Sequence, residues 1–346
     1  MGIRTNAELL SELDSALKSI TDISQMGDSI LSPQKFAQFV RRMEDRTVIL
    51  PDARFIEMES QQTDIDRTGF VGRILKSGSD GGGSSRTLSE GDFAEPTFNT
   101  NKLIANELQA VTSLRDRALR RNIERGDFES TLVDLFGEAA GRDIEEYGLL
   151  ADSGRNHSDD DVLSKTDGWL KLAANRIYGG TGGSFSYDPT GDVDNSGNPE
   201  NVFEALLEAL PKRFIQDTSE WRIYVPWNMY NNYHNVLKKR QTSLGDNAQQ
   251  DGFNRLPWKG MWVVYAPMLE RVPSSQDSEN TNHDVWGQVA TLQNPDNMAW
   301  GVFHEVTVED EREAKERRTD FVLTLEADAH YEDENASVVA FVDQDA

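Results

Sequence analysis

Asp192, Asp194 and Ser196, followed by Gly197, put oxygen-bearing side chains at the first, third and fifth positions of a loop with glycine at the sixth. That is the opening half of a calcium loop: hard oxygen ligands surround a hard cation, and the glycine permits the sharp turn. The pattern breaks at the twelfth position, where a bidentate glutamate is needed. Phe203 stands there, and Glu204 comes one residue late. Asp, Asn, Ser and Gly are equally the residues of ordinary turns, because short polar side chains bond the neighbouring backbone. Calcium or another cation at these three residues is the one cofactor expectation the chain offers.

Other chemistry is looked for and not found. The histidines are His157, His234, His283, His304 and His330, and none has zinc-ligand spacing; His304-Glu305 lacks the second histidine of a metalloprotease helix. Gly182-Gly183-Ser184-Phe185-Ser186 resembles a nucleophile elbow but ends in serine where glycine is required. The glycine-rich run Ser77–Ser85 is followed by no Lys-Ser or Lys-Thr, so it is not a phosphate cradle. Trp221, Tyr224, Trp227, Tyr230 and Tyr233 precede Lys238-Lys239-Arg240, and aromatics beside cations can stack bases. Here the alternation of Trp221, Ile223 and Val225 with Arg222, Tyr224 and Pro226 reads instead as a half-buried strand entering a helix. There is no cysteine, which removes disulfides and thiolate chemistry. No enzyme is expected.

The elements that carry these residues need a real core, and 346 residues at 37% hydrophobic can form one. No run approaches the ~20 apolar residues of a membrane span, and no basic segment with an apolar core marks a signal peptide. The net charge is −25, and of the 35 basic residues 11 are lysine and 24 arginine. The acidic residues are spread along the whole chain rather than gathered in a tail. An even acidic coat with few lysine stems suits concentrated salt, where the Debye length falls to about 3 Å at 1 M and self-repulsion is weak. A halophilic source is expected. A chain this acidic is a poor general binder of nucleic acid, which needs clustered cations.

Leu9, Leu10, Leu13, Leu17, Ile20 and Ile23 recur at helical spacing, and Ser32-Pro33 starts a second helix to Glu44. Thr47–Ile74 reads as extended chain leading into the floppy Ser77–Ser85 run, and Phe98–Thr112 as a strand. Asp127–Tyr147 is the clearest helix, with an apolar stripe from Phe128 to Tyr147, a capping Asp127 and Gly148 as its stop. Gly137 and Gly141 lie on one face of it, a place for another backbone to approach. Val202–Leu210 reads as a short helix and Met261–Ala266 as a strand. Along Asn297–Val342 the period is two: Trp300, Val302, Val306, Val308, then a charged turn from Asp310 to Thr319, then Phe321, Leu323, Leu325 and Ala327.

This order of elements resembles the major capsid protein of tailed double-stranded DNA viruses, the Hong Kong 97 fold. Phe98–Ser153 is similar to that family's strand and long spine helix. Ser243-Leu244-Gly245-Asp246 with Gly260–Pro267 is similar to its axial-domain turn and strand. Asn294–Asn297 leading into Trp300–Val308, then Arg317 to Val342, is similar to its closing peripheral strands. The resemblance covers essentially the whole chain. It implies an α+β chain with an N-terminal arm at 1–46, an extended hairpin loop at 47–97, a peripheral domain with spine helix at 98–165, an axial domain at 166–293 and closing peripheral strands at 294–346.

The function so implied is self-assembly into hexamers and pentamers of an icosahedral virion shell enclosing double-stranded DNA, built in the host cytoplasm; the alternative is an encapsulin-type compartment shell. The implied partners are copies of the chain, a portal, a separate scaffold or decoration protein and non-specifically held DNA, with no membrane. Some relatives carry a scaffolding segment before the arm, and 46 residues are too few for one. Some cross-link a lysine to an asparagine; Lys76 and Lys102 lie near the loop, and nothing marks either as reactive. Gly137 and Gly141 are expected at inter-subunit contacts, and Arg312, Lys315, Arg317 and Arg318 in inter-subunit ion pairs.

Overall fold

The computed structural model describes residues 47–70, 74–78, 85, 93, 96–115, 128–154, 162–180, 182–239, 256–270, 288–303, 307–313 and 315–342. The two helices expected within 1–46, the Asp127 cap and the Leu244-Gly245-Asp246 turn lie outside these residues.

The described chain runs β1 (Arg54–Met58), β2 (Gln62–Phe70), β3 (Pro96–Ile104), β4 (Asn106–Arg115), α1 (Phe128–Leu150), α2 (Trp169–Leu172), β5 (Asn175–Tyr178), α3 (Glu200–Ala209), β6 (Arg222–Val225) and α4 (Trp227–Lys239). It continues through β7 (Leu256–Trp258), β8 (Met261–Tyr265), β9 (Gln288–Gln293), β10 (Met298–Phe303), β11 (Thr307–Glu313), β12 (Arg318–Tyr331) and β13 (Ser337–Val342). These strands make a five-stranded sheet around β12, a six-stranded sheet in the order β5-β13-β9-β6-β8-β7, and the two-stranded hairpin β2–β3.

β12 holds the first sheet together because its 14 residues are long enough for three partners. One edge pairs β4 from Arg318 to Ala327. The other pairs β11 over Arg318–Thr324 and then β10 over Ala327–Tyr331. Its buried Leu323, Leu325, Ala327, Ala329 and Tyr331 alternate as a strand's period of two requires. They pack with Ile144, Leu149 and Leu150 of α1, with Trp169, and with Trp300 of β10.

The second sheet is covered on both faces. Ile223 and Val225 of β6 join Val202, Phe203 and Leu206 of α3 and Met229, Tyr230 and Tyr233 of α4, whereas Tyr224 faces the first core. Arg222–Val225 is thus an inner strand with Ile223, Tyr224 and Val225 all buried, not the half-buried strand its alternation suggested. Strands buried on both faces read as apolar runs, and Ile223 is followed by a tyrosine whose hydroxyl finds Asp52 at 3.1 Å.

Two local expectations need correction, the helix stop at Gly148 and the charged turn at Asp310–Thr319. Helix α1 does not stop at Gly148, as the local pattern suggested, but reaches Leu150. A Cβ at Gly148 would lie 3.2 Å from Ala329 Cβ and 3.4 Å from the Trp169 ring, so this glycine serves close packing. Before the hairpin the chain enters the body: Ile49 and Leu50 are in the main core, and β1 pairs in parallel with Ala299–Phe303. Val48-Ile49-Leu50 is an apolar run that finds a core to enter, so the hairpin proper is β2–β3, paired from Gln62↔Ile104 to Phe70↔Pro96.

Nor is Asp310–Thr319 a charged turn. Most of it is paired strand, with Asp310 opposite Phe321 and Glu313 opposite Arg318, and Trp300–Val308 is divided between β10 and β11. Charged residues are compatible with strand where side chains face water, as exposed Glu311 and Arg312 do. Ser337–Val342 does not pair with β12. It crosses to the second sheet, between β5 and β9, so the closing segment 294–346 serves both sheets.

Candidate assembly surfaces

The loop carrying the calcium pattern is fastened by a lysine. Lys239, at the end of α4, places its ammonium 2.6 Å from Asp194 Oδ2 and 3.4 Å from Asp192 Oδ1. Asp192 Oδ1 also accepts the Asp194 N–H at 3.2 Å, and this bond, followed by Lys239, holds the Asp192 carboxyl below the usual range. Ser196 gives its backbone carbonyl to the Asp188 N–H at 2.9 Å. Glu204 turns to Lys259 at 2.6 Å. Phe203, in the twelfth position, is fully buried and edge-on to Tyr233 and Trp258, with ring centroids 5.3 and 5.5 Å away. Among the described residues no three His, Asp or Glu side chains converge on a point that could hold a metal.

Gly137 and Gly141 lie one turn apart in α1, and Gly141 is buried. The four basic candidates share the β11–β12 hairpin but divide in role. Arg318 is held within its own chain, 2.9 Å from Glu313, 2.8 Å from Glu316 and 3.0 Å from Asp320. Arg312, Lys315 and Arg317 are exposed, and Arg317 adopts a left-handed φ of 52° at the turn.

The β2–β3 hairpin stands outside both large cores. Its root rests on a small cluster of Met58, Ile65, Leu103, Ala105 and Ala299. Beyond its pairs, Ile74, Leu75 and Phe93 are 50, 80 and 65% exposed. Polar ties fasten the root to the segment after the middle of β12. Asp328 is 5% exposed and accepts the Ile104 N–H at 2.7 Å and the Thr166 hydroxyl at 2.9 Å. Asn101 Nδ2 donates to the carbonyls of Tyr331 at 2.8 Å and Glu332 at 3.2 Å. Arg67 pairs with Asp333 and lies 5.9 Å from the Phe214 ring centroid. Burial pushes the Asp328 carboxyl above the usual range, against the pull of its hydrogen bonds.

Glu145 of α1 makes a comparable tie at the other edge. It is 1% exposed and accepts the N–H groups of Val48 at 2.9 Å and Ile49 at 3.3 Å, and burial raises its pKa. Sequence reasoning missed both acids. Glu145 carried a signal, since it lies four residues after Gly141 and three before Gly148, on the face where backbones approach. Asp328 carried none, because it falls on the polar phase of the β12 alternation.

No protein-family model matches the chain. A curated relative, named as a prophage capsid protein (YqbE) of Bacillus subtilis (strain 168), is 25% identical over 334 residues, 96% of each chain. A chain of the satellite phage P4 procapsid, which includes size determination (Sid) protein, matches with a TM-score of 0.60 at 13% identity over 98% of both chains. The capsid of the cyanophage P-SCSP1u matches at 0.55 and 13% identity over 86% of this chain and 88% of that one. The capsid of an empty GTA particle matches at 0.53 and 14% identity over 85 and 89%. These proteins are structural capsid proteins, not enzymes. The chain has the mixed α/β fold of the phage capsid proteins that it matches.

Proposed function

We propose that this chain is the major capsid protein of a tailed double-stranded DNA virus, of the Hong Kong 97 type, and that it assembles as hexamers and pentamers into an icosahedral shell around the genome. The observation that carries this reading is coverage: the likeness to a procapsid chain spans 98% of both partners, so it is the whole architecture that is shared. The hairpin supports it physically. A two-stranded ribbon is marginal alone, and exposed Ile74, Leu75 and Phe93 at its outer end need a surface to cover them. A second copy of the chain is that surface in a shell. The names of the relative and the structural neighbours favour a virus over an encapsulin-type compartment.

On this reading the protein resides in the virion after assembly in the host cytoplasm. Its partners are other copies, a portal, a separate scaffold or decoration protein, and DNA held without sequence preference. Among the described residues no helix is long and apolar enough to cross a membrane. Sizing and electron microscopy of purified protein test the reading. Closed particles tens of nanometres across are expected, with nucleic acid rather than an enzyme cargo inside those taken from infected cells. A chain that stays monomeric in low and molar salt, at every concentration, would sink the shell reading.

A further inference from the structure

We infer that the segment Asp328–Asp333 is a two-point clamp that sets the direction of the β2–β3 hairpin within the single chain, with an inner point at Asp328 and an outer point at Asp333. A ribbon fixed at one place can pivot; fixed at two places along its length, it has a direction. The inner point is the Asp328 carboxylate on the Ile104 N–H, at the last residue of β3. The outer point is Arg67 of β2 on Asp333. Arg67 stands in register with Asn99, five positions outward of Ile104, or about 16 Å along a strand. Asn101 lies between them and donates to the Tyr331 and Glu332 carbonyls.

The clamp itself is fixed to the body, as a clamp must be. Tyr331 donates its hydroxyl to the Trp169 carbonyl at 3.0 Å. Asp333 N–H donates to Asn297 Oδ1 at 2.8 Å, and Asn297 Nδ2 returns a bond to the Asp333 carbonyl at 3.0 Å. Thr166 holds the second oxygen of Asp328 from the loop before α2. The two points also differ in environment. Asp328 is buried, whereas the Arg67 side chain is 41% exposed beside Phe214. Asp333 is itself buried and only its partner is exposed, so salt screens the outer point in part. What this direction does for assembly rests on the shell reading; the clamp within one chain does not.

Amide hydrogen exchange on the full-length chain in solution tests the clamp, read on the hairpin and on the inner strands β6 and β9. Arg67→Met keeps the aliphatic stem and removes the charge. It is expected to speed exchange in the outer pairs, 66–70 with 97–100, by about tenfold, a typical local-opening effect of one lost polar tie. Asp328→Ala is expected to extend this to 101–104, and Asp328→Asn, whose amide oxygen still accepts the Ile104 N–H, to restore it. In all three β6 and β9 keep their protection. Unchanged hairpin exchange in Arg67→Met and Asp328→Ala overturns the clamp. So does a parallel rise in β6 and β9, which reports loss of the fold, and so does Asp328→Asn behaving as Asp328→Ala. Failed particle formation with hairpin exchange as expected would count against the shell reading alone.

Discussion

At the scale of single residues, the buried polar groups among the described residues include carboxylates that hold backbone. Glu145 takes two N–H groups from the chain that leads into β1. Its pKa is raised in the fold by burial. The sign follows: the stabilising contribution of its protonation is fully present below the ordinary value of 4.5 and is lost as pH rises through the raised folded value. Glu145→Gln keeps an acceptor and removes the titration. Its urea midpoint relative to wild type is therefore expected to be most favourable at neutral pH, the difference shrinking as pH falls toward 4.5. A difference independent of pH would contradict this. Glu145→Ala leaves the buried N–H groups without their acceptor and is expected to cost about 2–4 kcal/mol, more than one ordinary hydrogen bond. The calcium pattern has its own test. Chelation is expected to leave the Tm of wild type and of the Asp192→Ala, Asp194→Ala double variant unchanged, because Lys239 supplies the cation those carboxylates meet. A chelator-induced drop in wild type that vanishes in the double variant would establish a metal at these residues.

At the scale of elements, what was legible in the sequence is what is local. The α1 stripe, the Val202 and Trp227 helices and the alternation of β12 follow from a repeat of 3.6 or 2 read within a few turns. Partners are not local. Nothing in Val338-Val339-Ala340-Phe341-Val342 says that it pairs with residues 288–293 and 175–178 rather than with β12. The same limit hid the core role of Ile49 and Leu50, whose neighbours lie about a hundred residues on. The candidate sites divide the same way. Turn chemistry at 192–197 was legible, while Lys239 reaches it from 45 residues away. Gly148 shows how tertiary packing overrides a local rule. In an exposed helix Gly→Ala stabilises by about 1 kcal/mol. Here the new methyl would sit 3.2 Å from Ala329 Cβ, which is fixed to its strand. Overpacking costs about 1–3 kcal/mol, so Gly148→Ala is expected to lower the Tm; a rise would mean that α1 and β12 can separate without loss.

At the scale of the whole molecule, the charge decides the conditions under which copies can meet. Each copy brings a formal charge of −25, so bringing many together in low salt sets like charges against one another at every seam. The fold alone does not answer this: the basic residues exposed on the β11–β12 hairpin, Arg312, Lys315 and Arg317, share it with Glu311, Glu313 and Glu316. Attraction between mixed patches and repulsion between net charges are both screened by salt, and they predict opposite responses. Net repulsion acts over many charges at distances of a Debye length or more. It therefore weakens most between 0.1 and 1 M, as that length falls from about 10 to about 3 Å. Apolar burial at the seam strengthens in salts excluded from the surface. Exposed pairs, each contributing about 0–1 kcal/mol, lose little in absolute terms. Assembly is therefore expected to need high salt. Sedimentation should show small species at about 0.1 M NaCl and particles above about 1 M, reversing on dilution. If particles instead dissolve as salt rises, ion pairs such as those open to Lys315 and Arg317 hold the seams, and the acidic coat is not an adaptation to concentrated salt.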